Sequence, residues 1–245
     1  MPVETVPLFR DDAYLTECDA TVLGVNDRGG IVLDRTVFYA TSGGQPGDTG
    51  RVLVGETTVP IGATVYGEGK TEIVHVSAVP AAAVVAGALV RAELDWERRH
   101  RHMRMHSALH LLCSLIPFPV TGGSIGADDS RLDFDISDAG AVDREQIAER
   151  LNALVAEDHP ISSRWITDQE LLDNPGLVRT MTVKPPMGTG RVRLVSIGEN
   201  GAVDLQPCGG THVRSTGEIG PLTILKIEKK GRQNRRIRIG FAESR

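Results

Sequence analysis

The sequence predicts an α+β protein in two parts, a small β-barrel over residues 1–95 and an α+β domain over residues 96–245. Three observations predict it. Short apolar runs separated by glycines and an Asn-Asp turn fill the first 94 residues, as they do in small barrels. After Trp96 the apolar period becomes helical. Beyond that point helical and strand patterns mix to the end of the chain, which is the mark of an α+β layer architecture.

The barrel strands are expected at residues 20–25 (ATVLGV), 30–33 (GIVL), 50–55 (GRVLVG), 59–65 (VPIGATV), 71–76 (TEIVHV) and 88–94 (ALVRAEL). The low-complexity AVPAAAVVAGA before the last of them reads as a loop. From Glu97 to Leu115 charged residues give way to apolar ones at helical spacing (Met105, Leu109, Leu112), and Pro117 ends the run. A strand is expected at residues 131–136. In DREQIAERLNALVAED, Ile147, Leu151, Leu154 and Val155 form one stripe, with Asp143 and Gln146 placed as a capping box. TDQELL carries the same start signal at Thr167 and Glu170. RVRLVSI, LTILKIE and RRIRIGF read as closing strands. No internal repeat is visible.

Bulk properties exclude several classes. No run of about twenty apolar residues exists to span a bilayer. The start, MPVETVPLFRDDAYL, lacks the basic and apolar regions of a secretory signal, and the three scattered cysteines, Cys18, Cys113 and Cys208, cannot build a disulfide framework. A cytoplasmic protein with no membrane partner and no obligatory protein partner is expected. The net charge of -5 argues against bulk nucleic-acid binding, but two basic clusters override it locally. One is ERRHRHMR with Arg98, Arg99, Arg101 and Arg104; the other is KIEKKGRQNRRIR, which includes Arg235 and Arg236. Each is either a solvated face or a phosphate-binding surface.

RHMRMHSALHLLC places His102, His106 and His110 four residues apart, on one helix face. Far downstream, PCGGTHV places Cys208 and His212 four apart. Two short-spaced pairs from distant segments are how a tetrahedral zinc site is commonly assembled. At a rise of about 1.5 Å per residue, His102 and His110 stand about 12 Å apart along the axis, too far for one ion. His102 lies in the arginine-rich first turns, expected to face solvent, whereas His110 sits among leucines. The ligands read as His106, His110, Cys208 and His212. Cys113 and Cys18 read as buried thiols, and His75, His100 and His159 as ordinary side chains. One thiolate and three imidazoles suit Zn2+. Four protein ligands fit a closed structural site as well as a catalytic one, so the donor set leaves the role open.

With these residues in hand, HSALHLL and PCGGTHVRSTGEIGPLTILKI resemble the paired zinc motifs of the alanyl-tRNA synthetase editing domain and of the free-standing AlaX-type alanyl-tRNA editing proteins. FYATSGGQPGDTG (residues 38–50) resembles the glycine motif that precedes that domain in the synthetase and in medium-length AlaX proteins. PVTGGSIGADDSRLDFDI (residues 119–136) is similar to the family's strand segment behind the zinc helix. The resemblance covers nearly the whole chain. It implies a zinc-containing editing domain like that of alanyl- and threonyl-tRNA synthetases, and hydrolysis of the ester that links serine or glycine to the 3′ acceptor end of tRNA(Ala). The lead before Phe38 is too short for an ATP-binding domain, so removal of amino acids without attachment is expected.

The resemblance further implies that His106, His110, Cys208 and His212 hold Zn2+ beside the terminal adenosine, with His106 and His110 counted in the catalytic centre. It gives Thr121 a hydroxyl that meets the hydroxyl of serine. Gly43 and Gly44 are expected to let backbone approach the substrate or to bring the barrel against the editing domain, Gly122, Gly123 and Ser124 to form an active-site strand and turn, and Lys184 to contact the 3′ end. Arg98, Arg99, Arg235 and Arg236 are expected to meet acceptor-stem phosphates. Many synthetase editing domains carry glutamine where this chain has Gly122, so one polar group is absent here. The alternative is a non-catalytic RNA-binding module cross-linked by zinc. A zinc peptidase is excluded on chemistry, because Ser107 stands where the zincin helix places its general-base glutamate.

Overall fold

A computed structural model describes residues 4–80, 84–137, 142–180, 190–231 and 233–242. It divides into two compact units, residues 1–100 and 101–245, and the division falls inside one helix.

The first unit holds β1 (Val6–Pro7), β2 (Glu17–Val25), β3 (Gly30–Leu33), β4 (Arg35–Thr36), β5 (Gly50–Val54), β6 (Thr57–Tyr66), β7 (Ile73–Ser77) and β8 (Leu89–Leu94). β1 and β4 pair in parallel; the other six close into a barrel in the order β2-β3-β7-β6-β5-β8. All six expected strands are the barrel strands. Alternation explains the closure: inward residues such as Val22, Ile31, Leu33, Val52, Val59, Ile61 and Val90 fill one apolar core, while most of their neighbours outside β3, which is buried throughout, are more exposed. The glycine motif joins β4 to β5. Gly43 (φ 56°) and Gly44 (φ 82°) both take left-handed backbone between Ser42 and Gln45, whose N–H and C=O groups bond each other. A two-residue turn with positive φ at both central positions favours glycine twice, so the turn accounts for both without a substrate. At Gly47 an added Cβ would stand 1.9 Å from the carbonyl oxygen of Thr64.

His75 on β7 is fully buried among these strands. Its Nδ1–H donates to the Ile31 carbonyl (3.0 Å), and its Nε2 accepts from the Thr36 hydroxyl (2.8 Å), which in turn accepts from the Phe38 N–H. Burial holds the ring neutral and pushes its pKa down to about 4. In the unfolded chain the same ring titrates near 6.5. The neutral ring therefore contributes stability in full above about pH 6.5, and that contribution, about 3 kcal/mol, is lost as pH falls towards 4. Urea unfolding at pH 7.5 and 4.5 checks this: His75→Gln should flatten the acid loss, and an unchanged profile would contradict it.

The second unit begins in α1 (Trp96–Leu115) and continues with β9 (Val120–Ile125), β10 (Asp129–Asp135), α2 (Arg144–Ala156), β11 (Ile161–Thr167), α3 (Asp168–Asp173), β12 (Arg191–Ile197), β13 (Asp204–Pro207), β14 (Leu222–Lys230) and β15 (Asn234–Phe241). Two antiparallel sheets form, β14-β15-β10-β9 and β11-β12-β13. Asp95 starts α1 by accepting from the Arg98 N–H (3.1 Å), and Arg179 closes its last turn by donating to the carbonyls of Cys113 and Ile116. Asp143 caps α2, and the Thr167/Glu170 capping box of α3 is complete. The Asn152 amide of α2 both donates to and accepts from the Leu222 backbone, which seats α2 on β14. Among the described residues no helix is long and apolar enough to cross a membrane.

Candidate metal centre

α1 carries His106 and His110 one turn apart, and both are buried. The loop after β13 carries Cys208 and His212. Their donor atoms lie within 4.8 Å of one another, so two segments about a hundred residues apart converge on one point. Cys208 Sγ stands 3.4 Å from His106 Nε2 and 3.3 Å from His212 Nε2. A tetrahedral zinc ion with bonds of about 2.0–2.3 Å needs ligand atoms about 3.5 Å apart, and these residues fit it.

The surrounding groups point three of the four donors inward. The Nδ1–H of His110 donates to Asp204 Oδ2 (2.7 Å), which also accepts from the Gln206 amide (2.8 Å); the carboxylate thereby leaves His110 Nε2 for a cation. His212 Nδ1 stands 3.2 Å from the Ser107 hydroxyl, which accepts from the Val213 N–H (3.3 Å). The residue whose identity excludes a zincin thus works as an orienting acceptor. The Gly210 N–H donates to Cys208 Sγ (3.4 Å), and Arg193 ties the Cys208 and Gly210 carbonyls to β12.

Electrostatics favour the ligating forms of two donors outright. Burial would push the Cys208 thiol up, but His106 beside it and hydrogen bonds from the His106 and His110 rings outweigh it and hold it well below its ordinary value. Burial and the neighbouring His106 keep His212 neutral, with its pKa well below the ordinary range. At His110 burial opposes the charged ring, yet Asp204 and Cys208 lift it to about 10; a cation at Nε2 takes the place of that proton while Nδ1–H stays on Asp204. Cys113 is buried and pushed up to about 11, the behaviour of an inert thiol.

Three expectations need correction. His102 does not face solvent: it is 2% exposed, because α1 is buried on nearly all sides from its second turn onward. Arg99 cannot meet a phosphate, being fully buried and bound to Asp48 and to the carbonyls of Ala13 and Val37. Arg235 is 6% exposed, and its guanidinium donates to the Asn234 and Ser137 carbonyls. Four more of the basic residues have partners: Arg98 bonds the Gly47 carbonyl, Arg101 the Ala127 carbonyl and Asp128, Arg104 the Ile219 carbonyl, and Arg236 Asp133. Lys184 lies outside the described residues.

Thr121, Gly122, Gly123 and Ser124 lie on β9. The Thr121 hydroxyl is 3.1 Å from Asn234 Oδ1 and 3.2 Å from the Asp133 carbonyl. A Cβ at Gly122 would meet only Asp133 Oδ2, at an ordinary 3.6 Å, so packing does not impose glycine there. Sequence reasoning missed Asp204 and Gln206. Their spacing from Cys208, every second residue on a strand, was the available signal.

Two family models match the chain: threonyl and alanyl tRNA synthetase second additional domain over residues 192–238, and tRNA synthetases class II (A) over residues 9–98. The alanyl-tRNA editing protein AlaX-M of Methanosarcina acetivorans is 36% identical over 244 residues, 95% of this chain and 97% of that protein. AlaX-L of Pyrococcus horikoshii is 31% identical over 94% of this chain and 56% of its own length. The alanine–tRNA ligase of Halorubrum lacusprofundi is 36% identical over 92% of this chain, a stretch that makes up 24% of the ligase.

Proposed function

The chain belongs to the AlaX-type alanyl-tRNA editing proteins, and from that premise we propose that it hydrolyses the ester joining serine, and also glycine, to the 3′ end of tRNA(Ala). The observation that carries the reading is the convergence of His106, His110, Cys208 and His212 in a chain that matches AlaX-M proteins over 95% of its length. Such editing answers a limit of binding: a pocket built for alanine discriminates against glycine or serine by only a few kcal/mol, and a second site of opposite preference corrects the remainder.

The four donors hold Zn2+ in this reading, and when bound the ion supplies positive charge to orient the terminal adenosine and polarise the ester. The chain's own groups do the rest. Asp204 and Ser107 keep two imidazoles oriented, and the Gly210 N–H steadies the thiolate. Thr121, with its proton shared between Asn234 and the Asp133 carbonyl, turns an acceptor towards the substrate, which suits the hydroxyl of serine and finds nothing on alanine. Gly122, Gly123 and Ser124 present backbone to the terminal nucleotide or the attacking water. An aminoacyl ester is already activated, so positioned water and a stabilised oxyanion suffice.

The closed donor set also suits a structural ion in a non-catalytic RNA-binding module. One experiment separates the two. The purified protein is incubated with Ser-tRNA(Ala), Gly-tRNA(Ala) and Ala-tRNA(Ala), and release of the amino acid is followed. Serine is expected to leave much faster than alanine. Binding of all three with every ester intact would establish the module instead.

A further inference from the structure

One face of the sheet β11-β12-β13 extends beyond the groups that the editing reading uses. Register puts Trp165 opposite Arg193, Thr167 opposite Arg191, and Val195 between Ser163 and Gln206, all on that face. The opposite face is the apolar one, where Ile166, Val192 and Leu194 pack with Leu171. At one end, the face belongs to the metal centre: Gln206 bonds Asp204, and Arg193 bonds the carbonyls of Cys208 and Gly210 (3.2 and 2.9 Å). At the other, on the edge strand, Trp165 is 36% exposed with the Arg191 guanidinium over its ring at 4.5 Å. With strands about 4.8 Å apart, Trp165 stands about 10 Å across the sheet from the strand that leads into Cys208.

Trp165 buries about two thirds of its surface in the sheet and leaves the rest of the indole in solvent beside Arg191. Flat π-surface beside positive charge, on the same face as a site that takes a nucleotide ester, is the equipment for holding an unpaired base and its phosphate. We propose that Trp165 and Arg191 form a stacking platform for the single-stranded nucleotides adjoining the esterified terminal adenosine, Trp165 taking a base and Arg191 the backbone phosphate. The proposal rests on the editing reading and says how that substrate is held.

The test uses two substrates, Ser-tRNA(Ala) and the seryl ester of adenosine, which keeps the bond to be broken and lacks the neighbouring nucleotides. Trp165→Ala and Arg191→Ala should each raise KM for the tRNA about 10-fold, with kcat little changed. Trp165→Phe should recover part of the loss, and all three should cleave the seryl adenosine as wild type does. Independently of turnover, a short RNA ending in CCA should quench tryptophan emission in wild type but not in Trp165→Ala, whose remaining tryptophan is Trp96. Equal losses on both substrates, or no loss on either with no quenching, would overturn the platform. A wild-type protein that cleaves neither ester overturns the deacylase reading instead, and the quenching titration then decides the platform alone.

Discussion

Cys208→Ala is expected to bind zinc on the order of 10²–10³-fold more weakly, one ligand's share of the ~10–16 kcal/mol that four ligands supply in small structural zinc sites. Metal content after dialysis and competition with a chromogenic chelator would measure it. In the proposed reading the ion joins the two segments, so release of serine from Ser-tRNA(Ala) should fall with the metal. The opposite result is informative: loss of zinc with full hydrolysis would make the ion structural and move the chemistry elsewhere. Full zinc occupancy in the variant would remove Cys208 from the ligand set.

The second large effect concerns Asp48, which sits in the glycine motif and is 1% exposed. It accepts from Arg99 and from the Tyr39 N–H, while the Thr64 hydroxyl donates to its carbonyl. Asp48→Asn leaves the Arg99 cation buried without a counter-charge, a change that costs about 3–5 kcal/mol in comparable buried pairs. For a chain of this size the melting temperature should fall on the order of 10 °C. Replacing both partners with apolar residues, Asp48→Leu with Arg99→Met, should recover much of the loss, since the penalty lies in the unpaired charge and not in missing volume. If Asp48→Asn melts within 2 °C of wild type, the pair is not what holds the motif to the start of α1.

The same pair shows where a sequence stops being legible. Barrel strands announce themselves because every second residue meets one core, and α3 because its capping box is local in sequence. The four converging donors were readable because the two members of each pair stand four residues apart. Arg99 was not, since a charged residue in a basic run is solvated by default, and only a distant carboxylate reverses that. His102 was misplaced for a related reason: α1 is buried almost all round, so its polarity pattern has no dry face to reveal. β11 went unseen because Ser162, Ser163, Arg164 and Trp165 are all exposed and the strand shows no alternation.

That exposed polarity has a colloidal consequence. The barrel is closed and offers no free strand, but β11 ends its sheet with a row of backbone donors and acceptors turned outward. Ile161 at its start is covered through its bond to the Arg214 carbonyl, and the two serines and Arg164 that follow make recruitment of a second chain unfavourable. Valines or isoleucines at Ser163 and Arg164 would improve the strand's own propensity and at the same time turn its rim into a template for fibrillar growth.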